Sequence, residues 1–150
     1  TSGGIAGNCV FSDSSSNEAT IVGNCVFNDT CHNNAAGDIT GNCTFHDTGS
    51  NDGLVTGDCV FNDSSLNDYN TPGNVIGDCT FNGGSYNGGT ITGDCTFNGG
   101  FNAGTITGNG IIRQHAAAFV AWRDYATSTY ITGTLTLQFP EMDILGTGLL

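Results

Sequence analysis

Lysine is absent from this chain, and arginine occurs only twice, at Arg113 and Arg123. With 14 acidic residues the formal net charge is −12. Binding to nucleic acid needs basic side chains to neutralise phosphates, so that function class is excluded. Anionic membrane surfaces are disfavoured on the same ground. No run of 18 or more apolar residues exists, so no membrane-inserting span is expected. No basic leader stretch precedes Thr1; if the protein is exported, its signal has been removed. Charged residues make up only 11% of the 150 residues and hydrophobic ones 37%, beside 24 glycines. That is too little charge for a disordered polyelectrolyte and too little apolar content for an ordinary core.

Repetition resolves the conflict. Ile91-Thr92-Gly93-Asp94-Cys95-Thr96-Phe97 is one copy of a seven-residue core. Earlier copies occupy residues 5–11, 21–27, 39–45, 55–61 and 75–81, and a degraded one, Ile106-Thr107-Gly108-Asn109-Gly110-Ile111-Ile112, follows. The core keeps its length, while the segments between copies run 9, 11, 9, 13, 9 and 8 residues. Fixed cores with variable loops indicate stacked coils.

Within each core, alternation turns Ile or Val inward and bends the chain at Gly-Asn or Gly-Asp. It then places Cys inward, Val or Thr outward and Phe inward. Two short strands with a corner between them follow, glycine suiting the corner because it accepts positive φ. Three inward columns result: Ile5 to Ile106, the six cysteines Cys9, Cys25, Cys43, Cys59, Cys79 and Cys95, and Phe11 to Phe97. Coils about 4.8 Å apart leave two states open for these cysteines, pairing between neighbours or a ladder of buried thiols. Cys31 stands outside the column. A further column, Asn17, Asn33, Asn51, Asn67, Asn87 and Asn102, falls in the loops, where asparagine suits a turn and can bond from coil to coil.

The fold expected is all-β, a single-chain parallel β-solenoid of about seven coils over residues 1–110, roughly 34 Å long at 4.8 Å per coil. Residues 111–150 are expected to form a non-repeat capping and association segment. It would contain a short helix over residues 114–126, with Phe119 and Trp122 near one face. A half-buried strand would follow over residues 129–139, with Ile131, Leu135, Leu137 and Phe139 on one side.

Gly93-Asp94-Cys95-Thr96-Phe97-Asn98 and its sister copies resemble the Gly-x-[Ala/Cys]-Thr-Phe-Asn repeat arrays of bacterial surface and extracellular β-solenoid proteins. The resemblance covers residues 5–112. It implies an extracellular or cell-surface location and a role as stalk, coat or fibre. Cysteine at the small-residue position departs from the pattern.

Several features admit a functional and a plainer reading. Asp13, Asp29, Asp47 and Asp63 stand two residues after Phe in successive copies. Unit charges about 4.8 Å apart repel by roughly 1 kcal/mol even in water, so calcium would relieve the column. The plainer reading is solvated carboxylates that keep the coil soluble. The outward Val/Thr columns suit an ice-binding or adhesin face, or simply an exposed strand. Catalysis has little support. His32, His46 and His115 lie in unrelated contexts, no nucleophile elbow or zinc-binding helix motif occurs, and a polysaccharide-active site would lack a basic residue in the solenoid. The expected function is therefore a non-enzymatic, structural, self-associating protein, its partner being itself. Copies would join head to tail, with Phe119, Trp122, Ile131, Leu135, Leu137 and Phe139 serving self-association.

Overall fold

The computed structural model describes residues 4–67, 73–113 and 130–138. They form a parallel β-solenoid of three sheets. The first sheet has eight strands: Ile5–Ala6, Thr20–Val22, Asp38–Thr40, Leu54–Thr56, Asn74–Ile76, Thr90–Thr92, Thr105–Thr107 and Tyr130–Ile131. The second, also eight-stranded, runs from Cys9–Phe11 to Leu135–Gln138. The third has six two-residue strands, from Ser16–Asn17 to Phe101–Asn102, so about six turns carry all three sides. Strands within each sheet pair parallel and in register, Ile21 on Ile39, Cys25 on Cys43, Phe27 on Phe45.

The columns expected from the sequence are the core. Ile21, Ile39, Val55, Val75, Ile91 and Ile106 are buried, as are Cys25 to Cys95 and Phe27 to Phe97. The Phe rings stack with centroids 4.6–4.9 Å apart and planes within 9° of parallel. Isolated aromatic pairs prefer offset or edge-on arrangements; here the spacing of paired strands sets the separation. Burying each ring contributes about 1.5–3 kcal/mol. All seven cysteines are free thiols, so the stack is a ladder of small hydrophobes.

Each corner is built on glycine for two reasons. At Gly23, Gly41, Gly57, Gly77 and Gly93 φ lies between 149° and 155°, a region side chains rarely adopt. A Cβ at any of these positions would also collide with the carbonyl of the equivalent glycine one coil earlier. The coils therefore touch backbone to backbone at this edge.

Two local expectations are corrected, and Cys31, expected outside the cysteine column, is found outside it. The Asn column lies on a third strand pointing inward, not in a turn: Asn33, Asn51, Asn67 and Asn87 are fully buried. Each Nδ2 donates to the Oδ1 of the next coil, at 2.6–2.9 Å from Asn17 through Asn102. Second bonds run to carbonyls of the same coil, Asn33 to Gly37 and Asn51 to Gly53, so burial leaves these amides satisfied. Cys31 has a column of its own, the small-residue place inside the turn that Ser15, Gly49, Ser65 and Ser85 fill elsewhere. It is fully buried, with Sγ 3.3 Å from Ser15 Oγ.

The second correction concerns residues 129–139. They hold two strands rather than one, Tyr130–Ile131 and Leu135–Gln138, separated by a bend at Gly133. A Cβ at Gly133 would meet the Gly108 carbonyl, so the bend is the corner of another coil. Ile131 pairs with Ile106, and Leu137 with Ile112. The helix expected over residues 114–126 lies outside the described residues.

Candidate functional site

Among the described residues the inward columns are buried, which leaves the outer columns and the end coils to contact other molecules. Asp13, Asp29, Asp47 and Asp63 do stack on one exposed turn. All four have left-handed backbone, φ 56–66°, and Gly83 (φ 64°) and Gly99 (φ 90°) take the same place in later coils. Their carboxylates have a structural task. Asp29 Oδ2 accepts the Asp13 backbone N–H at 3.0 Å, Asp47 Oδ2 that of Asp29 at 3.3 Å, and Asp63 Oδ2 that of Asp47 at 3.3 Å. The Asp29, Asp47 and Asp63 carboxylates thus each cap the preceding coil. Among the described residues no three of His, Cys, Asp and Glu gather in metal-binding geometry.

A second outer ladder escaped the reading of the sequence. The residue after each corner glycine, Asn8, Asn24, Asn42, Asp58, Asp78, Asp94 and Asn109, turns its Oδ1 to the backbone N–H of the equivalent residue one coil later. The bonds are 2.8–3.0 Å long and end at Thr134. The signal was present, since only Asn or Asp occurs at this place from residue 8 to 109, but it read as turn preference alone. This ladder points opposite to the first, each side chain capping the coil after it. Asn109 donates to Asp94 from its backbone and then its side chain, which lowers the Asp94 carboxyl below the ordinary range.

Of the six residues expected to serve self-association, Phe119, Trp122 and Phe139 lie outside the described residues. Ile131, Leu135 and Leu137 fall on the last coil, Leu135 being 38% exposed. The first described coil is less buried than those that follow it. Ile5 is 45% exposed and Phe11 half-buried, where Ile21 and Phe27 are fully buried. The outward column of the first sheet, Ala6, Val22, Thr40, Thr56, Ile76, Thr92 and Thr107, is exposed throughout.

The two histidines among the described residues do not converge: His32 Nδ1 lies 3.2 Å from the Thr30 carbonyl, and His46 stands a coil away. Six of the seven thiols are buried. An S–H shared with the neighbouring sulfur, and then burial, push the Cys25, Cys59, Cys79 and Cys95 thiols well up. Hydrogen bonds from Cys25 and Cys59 move Cys43 the other way. No helix among the described residues is long and apolar enough to cross a membrane. Compared with known proteins, the chain matches no family model, no curated protein and no solved structure.

Proposed function

We propose that this chain is a structural, self-associating subunit of an extracellular or cell-surface assembly, a filament, stalk or coat, and not an enzyme. Copies join head to tail through the ends of the solenoid, an open-ended contact. One observation supports the reading: in the first described coil Ile5 is exposed and Phe11 half-buried, although the same columns are sealed one coil further on. Another coil laid on that edge would extend every column and pair the free strand edges. The opposite end offers Ile131, Leu135 and Leu137 on the last coil, and the chain supplies Phe119, Trp122 and Phe139 on either side of it. Negative-stain microscopy of concentrated protein tests this. Filaments that Ile5→Lys abolishes are expected, and isolated rods at every concentration would refute it.

A second reading is a binding module, an ice binder or adhesin. It is favoured by Val22 and Ile76, 58% and 50% exposed in a column otherwise of Ala and Thr. Absence of thermal hysteresis removes the ice-binding version.

A further inference from the structure

We infer that the cysteine column inside the solenoid is a binding site for soft monovalent cations of the Cu(I) and Ag(I) class, each held in line between the sulfurs of two neighbouring coils. The site goes beyond the end-to-end reading above and does not depend on it.

The spacing of the column carries the argument. Cys9, Cys25, Cys43, Cys59, Cys79 and Cys95 pair strand to strand in register, and all are free thiols. The Phe rings two residues on in the same strands repeat at 4.6–4.9 Å. In-register pairing gives equivalent atoms of the cysteines the same repeat. That repeat is longer than the Cβ separation of a disulfide, about 3.5–4.5 Å. It suits a metal link instead, since two metal–sulfur bonds of about 2.3 Å set in line span about 4.6 Å.

The ligands on offer select the cation. Each gap presents two sulfurs on opposite sides, and among the described residues no third His, Cys, Asp or Glu completes a metal-binding group. Zinc asks for four ligands and calcium for a shell of oxygens. Thiolates favour soft Cu(I), and Cu(I) and Ag(I), with filled d shells, form linear two-coordinate links. Burial sharpens the preference: Cys25, Cys43, Cys59, Cys79 and Cys95 are at most 3% exposed, which keeps water from competing for the metal. For each cation that enters, one thiol proton leaves to solvent. A metal–sulfur bond replaces that S–H bond and the neighbouring sulfur donates a lone pair, so the core gains no net charge. The five gaps between Cys9 and Cys95 set the upper limit of loading.

Native mass spectrometry of the reduced full chain titrated with Ag(I), with thermal melting alongside, is the measurement. The wild type should take up Ag(I) to that limit and melt at a higher temperature, because the column exists only in the folded state. Cys59→Ala borders two gaps and should lose two cations; Gly110 already holds the cysteine place in a later coil, so the column accepts a smaller residue. Cys31→Ala removes an equally buried thiol outside the column and should lose none. Loss of one cation from each variant, the pattern of thiols binding singly, overturns the site. So do a lowered melting temperature, uptake of Zn(II) to the same number, and a folded chain that takes up no Ag(I).

Discussion

Residues 5–11 and 21–27 are nearly the same sequence, Ile-Ala-Gly-Asn-Cys-Val-Phe and Ile-Val-Gly-Asn-Cys-Val-Phe, yet they are not equivalent in the molecule. Ile21 is fully buried and Ile5 is 45% exposed; Phe27 is sealed between two rings and Phe11 touches one. The difference comes from having a coil on both sides rather than one. In a stack of this kind the stabilising term resides in the interface between coils, not in the coil's own sequence, so a residue's value follows from its position along the axis.

Substitutions matched between the first coil and the middle test that lesson. Phe61→Ala removes a ring from the centre of the stack and should cost about 4 kcal/mol in urea unfolding, with Phe11→Ala costing less than half as much. Equal losses would break the comparison. Gly57→Ala combines unfavourable backbone geometry with a collision against the Gly41 carbonyl, and should cost about 3 kcal/mol. Gly7 has a similar φ, 137°, but a methyl group there would meet nothing within 4 Å; Gly7→Ala should cost about 1 kcal/mol. Asn51→Ala strands the Asn33 amide and the Asn67 carbonyl oxygen in the interior, for about 2 kcal/mol, and Asn17→Ala, which orphans one neighbour, about half that.

The smallest effect is a dependence on pH. The Asp94 carboxyl is lowered by its bonds from Asn109, so its stabilising contribution is present above the ordinary carboxyl value of about 3.9. It is lost as pH falls through the lowered value. Asp94→Asn should flatten the acid limb of a melting-temperature profile; an unchanged limb would show that the corner ladder contributes nothing there.

How much of this was legible depends on where the information lies. The Ile, Cys and Phe columns could be read because apolar residues recur in a core of constant length. The third side could not: its strands are two residues long, their inward residue is a polar Asn, and the chain beyond varies in length. Inward asparagine imitates a turn in every respect except its burial. The corner ladder was hidden because each bond joins residues 15 or more positions apart, while the local sequence explains Asn or Asp after glycine without it. Residues 131–137, Ile-Thr-Gly-Thr-Leu-Thr-Leu, have the length and glycine of the core. Leucine at the Cys and Phe places made them look like one alternating strand. The Asp13 to Asp63 column was placed correctly, but sequence alone does not reveal the backbone N–H groups its carboxylates hold.

The stacking of like on like can be observed in solution. In protein with isotope-labelled Phe, nuclear Overhauser contacts should link the rings in one unbroken chain, Phe11 to Phe27, Phe45, Phe61, Phe81 and Phe97, matching centroid separations of 4.6–4.9 Å. Contacts that skip members of that series, or rings that show none, would contradict the solenoid and everything argued from its ends.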